Sequence, residues 1–125
     1  MNKFEELFEI YGCDKITDEL VKEGVDEILS KHFAENNNIE VYKQCLNQID
    51  LTSLSGTDTE SEIRAMVEKV NNFENEFSDL PNVAAICVYP ALVPIVKATL
   101  TEPIGIAAVS AGFPASQTFI EIKVA

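Results

Sequence analysis

"VAAICVYPALVPIVKATLTEPIGIAAVSAGFP", residues 83–114, carries the reading of the fold. Its first part, 83–89, is apolar without alternation and is followed by Pro90, as expected of a strand buried on both faces in a parallel sheet. In 90–100, Leu92, Ile95, Val96 and Leu100 recur at helical spacing, and Pro90 and Pro94 fall in or near a first turn, where a missing N–H costs little. A second apolar run, "IGIAAVSAGF" (104–113), predicts a second buried strand. After it, "SQTFIEIKVA" begins another helix with Ser116 as its cap. Strand, helix, strand, helix in units of about twenty residues predicts a parallel α/β sheet or barrel. In such folds, sites assemble where strands leave the sheet at their carboxyl ends. Ser110, Ala111 and Gly112 leave room there for a ligand or for close backbone approach, and Pro114 stiffens the exit. The same bend also reads as a plain strand-to-helix turn.

Upstream, the sequence is helical and acidic. Phe4, Leu7, Phe8 and Tyr11 share one face of a short helix ended by Gly12. A second helix starts at Thr17 and carries Leu20, Val21, Ile28 and Leu29. "ENNN" (35–38) is a turn, and a third helix with Val41, Cys45 and Leu46 follows. The clearest helix is "GTDTESEIRAMVEKV", in which Thr59 and Glu62 form a capping box and Ile63, Met66, Val67 and Val70 share a face. "FENEFSDLPN" is expected to break into a loop. The helices of residues 1–40 are expected to pack Phe4, Leu7, Phe8, Leu20 and Val21 on one another or on the outer face of the βα part, with the acids outward.

The 125 residues, 46% of them hydrophobic, suffice for one ordinary globular domain with its own core. Of the net charge of −12, all lies in residues 1–79, which hold 19 of the 21 acids and 7 of the 9 bases. An acidic chain without a basic stripe repels phosphates, so no nucleic acid is expected as partner. No apolar stretch reaches the ~18–20 residues of a membrane span, so no membrane is expected either. The acidic start lacks the apolar core of a secretory signal, which makes the cytoplasm the expected compartment. Cys13, Cys45 and Cys87 lack CxxC pairing, and His32 has no companion at ligand spacing. Reduced thiols and no metal or other cofactor are expected. Neither GxGxxG nor GxxxxGK[ST] is present, so the glycines give no support to nucleotide binding.

Three stretches taken together resemble a known family. "IDLTSLSGTDTESEI", "NVAAICVYPALVPIVKATL" and "IGIAAVSAGFPASQTFIEIKVA" are similar, in order and spacing, to the opening third of 2-deoxyribose-5-phosphate aldolases. The family's L-D-x-T-x-L-like segment, its first strand and its GFP-like turn correspond to "IDLTSL", "AAICVYP" and "AGFP". The likeness runs from about Ile49 to the end and leaves residues 1–48 as a helical extension. It implies the N-terminal portion of a (β/α)₈ TIM barrel, with two βα units in 49–125. It also implies a lyase that cleaves 2-deoxy-D-ribose 5-phosphate reversibly to acetaldehyde and D-glyceraldehyde 3-phosphate through a lysine Schiff base, without a metal.

By the same resemblance Asp50, Thr52 and Cys87 match pocket positions of the family. Asp50 would hold a lysine ammonium or a substrate hydroxyl, and Thr52 and Cys87 would line the pocket. Their alternative readings are a turn residue, a cap and a small core hydrophobe. The family's catalytic lysines and proton-relay carboxylate belong to later strands, and Lys97 and Lys123 here fall on helix-forming stretches. A piece of a barrel of ~250 residues, inactive alone and self-associating through exposed sheet edges, is therefore expected. The rival readings are another Schiff-base barrel aldolase and a non-enzymatic acidic interaction module.

Overall fold

The computed structural model describes residues 2–124, which divide into two compact units, one up to Val41 and one from Tyr42 onward. In the first unit, α1 (Lys3–Ile10) is capped by Asn2, whose side chain accepts from the backbone N–H groups of Phe4 and Glu5 while Glu5 reaches back to the Asn2 N–H. Gly12, at φ +62°, turns the chain out of this helix. A single 3₁₀ turn, Cys13–Lys15, leads to α2 (Asp18–Asn36), where the Thr17 hydroxyl accepts from the Leu20 N–H at 3.2 Å. The Thr17 cap lies where the sequence puts a helix start; the Asn2 cap does not follow from the sequence pattern. The expected burial does not follow: Phe4, Phe8, Leu20 and Val21 are all more than half exposed, and Leu7 is 40% exposed. A helix of eight residues and one of nineteen leave their apolar stripes uncovered, because no described residue of this unit is buried.

The second unit opens with most of α3 (Ile39–Leu46), whose N-terminal N–H groups at Glu40 and Val41 are met by the Asn38 side chain. It then runs β1 (Asp50–Thr52), α4 (Glu60–Glu76), β2 (Ala85–Val88), α5 (Val93–Thr99), β3 (Gly105–Ala108) and α6 (Ile120–Val124). The three strands form one parallel sheet in the order β1-β2-β3. The sheet thus has a strand more than the apolar runs reveal, since "DLT" is three residues long and two of them are polar. α4 becomes the crossover between β1 and β2, a role fitting its capped start and its apolar face. It continues to Glu76, so the sequence "FENE" is helical and the loop begins only at Phe77.

The core lies between the helices and one face of the sheet. Ile63, Val67 and Val70 of α4, Ile86 and Val88 of β2 and Val96 of α5 form one buried cluster, with Leu51, Leu100 and Ile104 packed against it. Polar side chains fasten this layer. Buried Asn82 donates to the Val70 carbonyl and accepts from the Val83 N–H, both at 2.9 Å. Asn71 donates to the Thr99 carbonyl and accepts from the Thr101 N–H, which fixes the exit of α5 on α4. Arg64, on the outer side of α4, donates to the Thr99 hydroxyl at 2.9 Å.

The two apolar runs differ in burial. β2 is central and its Ile86, Cys87 and Val88 are buried, as expected of a strand covered on both faces. β3 was expected to be equally buried, yet Ile106 is 39% exposed and Gly105 and Ala108 are exposed too. The cause is position: β3 has β2 on one side and, among the described residues, no strand on the other. No helix among the described residues is long and apolar enough to cross a membrane.

Candidate functional site

Side chains alternate across a strand, so the register decides which residues share a face. Leu51, Ile86 and Val88 point into the helical layer. The other face therefore carries Asp50, Ala85 and Gly105 in one row and Thr52, Cys87 and Ala107 in the next but one. The three residues singled out by sequence, Asp50, Thr52 and Cys87, fall together on this face, opposite the one that packs against α4 and α5. Asp50 belongs to the amino-terminal row and is exposed, Thr52 closes β1 at its carboxyl end, and Cys87 is 6% exposed. The Thr52 hydroxyl donates to the Asp50 carbonyl at 2.8 Å. The surface beneath them is kept low by small residues. A Cβ on Gly105 would come within 3.2 Å of the Ala85 Cβ, so a side chain there would crowd the neighbouring strand.

Beyond the carboxyl ends of β2 and β3 lies an open cleft of about 620 Å³, lined by Tyr89, Pro90, the bend 109–115 and Ile122, Lys123 and Val124. That volume falls in the range of small-molecule sites. The small-residue bend makes it possible. Ala111 and Gly112 both adopt left-handed backbone conformations, at φ +55° and +72°, and the Phe113–Pro114 peptide is cis. Glycine takes such angles freely, and alanine is the smallest chiral residue on which the cost falls. Ser116 was expected to cap the last helix. Instead it has φ +53°, donates to the Ala111 carbonyl at 3.3 Å to close the bend, and α6 begins four residues later.

None of Asp50, Thr52 and Cys87 lines this cleft; they sit on the sheet face below its rim. Of the two lysines after β2, Lys97 is exposed on α5 and Lys123 lies on α6, as their helix-forming surroundings predict. Lys123 is nonetheless half-buried and, among the described residues, the single charged residue of the cleft lining, a placement that the sequence did not reveal.

A second group was also missed. The β1–α4 loop folds around Asp58, which accepts from the Ser53 hydroxyl with both oxygens, at 3.0 and 2.9 Å, and from the Ser55 N–H at 3.0 Å. The Tyr89 hydroxyl donates to the Leu54 carbonyl at 2.9 Å, joining this loop to the cleft rim. Serines and an aspartate around a glycine signal a turn, but only the structure links that turn to Tyr89.

No cluster of three or more potential metal-binding side chains occurs among the described residues. No protein-family model matches the chain.

Proposed function

We propose that residues 49–125 are the opening part of a (β/α)₈ barrel of the class I aldolase type, whose complete form cleaves 2-deoxy-D-ribose 5-phosphate reversibly to acetaldehyde and D-glyceraldehyde 3-phosphate. The observation that carries the reading is a combination of order and sidedness. Consecutive strands are neighbours in the sheet, and α4 and α5 pack on one face of it. A doubly wound sheet reverses its strand order and takes helices on both faces, whereas a barrel adds each strand beside the last and keeps its helices outside. In a barrel the face turned away from the crossover helices is the inner wall, and the face opposite α4 and α5 holds Asp50, Thr52 and Cys87.

In this chemistry a neutral lysine amine attacks the substrate carbonyl, water leaves, and the resulting iminium takes up the electron pair of the breaking carbon–carbon bond. A second lysine and a carboxylate move the protons. Asp50 would supply a negative charge to an ammonium or accept from a substrate hydroxyl, and the small surface of Ala85, Gly105 and Ala107 would leave space for the sugar chain. The nucleophile is assigned to a later strand, because a lysine on the inner mouth of a strand is placed for attack and one on an outer helix is not.

Two measurements test this. Incubation of the 125-residue chain with acetaldehyde and borohydride, followed by mass spectrometry, is expected to give no lysine adduct. Adding the separately expressed remaining strands of a deoxyribose-phosphate aldolase is expected to restore cleavage, and Asp50→Asn to abolish it again. Turnover by the chain alone with an adduct on Lys123 or Lys97 would move the chemistry onto the described helices. A complemented barrel that forms but never cleaves the sugar phosphate would remove the reading.

A further inference from the structure

We propose that the cleft beyond the carboxyl ends of β2 and β3 binds a small organic monocarboxylate with an apolar body. The inference is independent of the aldolase reading, since none of Asp50, Thr52 and Cys87 lines this cleft. Two kinds of unused donor belong to its lining. Among the described residues the Lys123 ammonium has neither an ion pair nor a hydrogen bond, although the residue is half-buried. On the bend, the N–H groups of Val109, Phe113 and Ser116 donate to the carbonyls of Val88, Ser110 and Gly112. Those of Ser110, Ala111 and Gly112, three in succession, have no acceptor among the described residues, and all three residues are exposed. The left-handed angles at Ala111 and Gly112 take the chain out of the strand ladder, which leaves these donors unused. Successive free N–H groups in a turn form an anion-binding concavity.

Charge decides the class of ligand. Glu121, two positions before Lys123 on α6, falls on another side of that helix and is not part of the lining. A cationic ligand would therefore meet an ammonium and no acid, whereas an anion meets one ammonium and three amide donors. A phosphate dianion would bring two charges to that one ammonium, in a chain whose net charge of −12 opposes it at long range more than it opposes a monoanion. The remaining lining sets the body of the ligand. Phe113, Ile122 and Val124 are each more than half exposed, apolar surface that an aliphatic or aromatic group would cover.

Titration of the nitrogen-15-labelled 125-residue chain with phenylacetate, read by amide chemical shifts, tests the proposal. Saturable shifts centred on Ser110, Ala111, Gly112 and Lys123 are expected, with a dissociation constant on the order of 1 mM. Phenylacetamide keeps the ring and loses the charge, and is expected to bind about tenfold more weakly. Phenyl phosphate is expected to bind no more tightly than phenylacetate. Lys123→Gln is expected to weaken phenylacetate about fivefold or more, and Lys123→Arg to restore most of the loss. The arginine variant separates loss of charge from disturbance of the short α6. Lys97→Gln, on α5, is expected to change nothing. No saturable shift up to about 20 mM would overturn the proposal. So would equal binding of the amide, tighter binding of phenyl phosphate, indifference to Lys123→Gln, failure of Lys123→Arg to restore binding, or an equal loss in Lys97→Gln.

Discussion

Thr52 of β1 lies directly opposite Cys87 of β2 in the parallel register, on the sheet face turned away from α4 and α5. The Cys87 thiol is nevertheless buried, at 6% exposure. Cys45, on α3, is exposed. Under native conditions a maleimide should modify Cys45 within the time that leaves Cys87 intact, and Cys87 should react only as the second unit opens. Peptide mapping after timed quenching reads this directly. Equal labelling of the two thiols would contradict the register.

The same placement separates two isoleucines that look alike in sequence. Ile86 is fully buried between α4 and α5, while its register partner Ile106 is 39% exposed on the edge strand. Ile86→Ala removes apolar contacts and leaves a cavity, with an expected cost of about 3 kcal/mol. Ile106→Ala should cost less than about 1 kcal/mol, because much of its surface stays in water in the folded state. Urea denaturation of the two variants followed by α4 helicity should show this order.

Asn82 is the buried polar residue of the core, and both ends of its amide are bonded, to the Val70 carbonyl and the Val83 N–H. Asn82→Leu would leave the Val83 N–H without its acceptor and lose the tie to α4. A loss of about 1–3 kcal/mol is expected. Asn82→Asp should also destabilise, since a buried carboxylate cannot donate to the Val70 carbonyl. A neutral outcome for both would show that packing alone positions the end of α4.

Helix starts were legible because they are local: Asn2 has no announced role in the pattern, but Thr17 and the Thr59–Glu62 pair lie where their side chains reach the next turn. β2 was legible from its unbroken apolar run. β1 was not, because three residues of mixed polarity carry no periodicity and become a strand only by pairing with β2. Burial of β3 was misread for a related reason: "GIAA" looks the same in the middle of a sheet and at its edge, and the difference is the neighbouring strand. Asp50, Thr52 and Cys87 were picked out by motif, and their common face follows from register, which no short stretch encodes. The tie from Tyr89 to Leu54 spans thirty-five positions and is invisible to any local pattern.

That tie has a measurable consequence. Tyr89→Phe keeps the ring at the cleft rim but removes the hydroxyl that holds the Leu54 carbonyl. A hydrogen bond of this kind contributes about 1 kcal/mol, so global stability should fall only slightly. Local order should change more. Amide exchange in residues 53–58 should quicken, while that of Val67 and Val70 in α4 stays as in the parent chain. Uniform acceleration across both would mean that the loop does not open by itself.

The start of α4 predicts a dependence on pH. Glu62 accepts from the Thr59 hydroxyl and from the Thr59 N–H, and these two bonds, the side-chain one foremost, hold its carboxyl below the usual value of 4.5. A carboxylate whose folded value is depressed binds its proton less readily in the folded state. Its stabilising effect is therefore complete above about pH 4.5, and is lost as pH falls through the lower folded value. Glu19, bonded by its own backbone N–H and by Thr17 at the start of α2, is displaced in the same direction. Acidification from pH 6 to pH 3 should thus fray the first turns of both helices. Thr59→Ala should remove the hydroxyl bond to Glu62 and keep the backbone one, and loss of the Thr59 cap itself should cost about 1 kcal/mol at neutral pH. Carbon-13 titration should then show the Glu62 carboxyl moved up toward its ordinary value, with the residue-59 N–H still holding it somewhat below, and Glu19 unchanged. If Glu62 in the Thr59→Ala chain kept its depressed value, the cap would not be its cause.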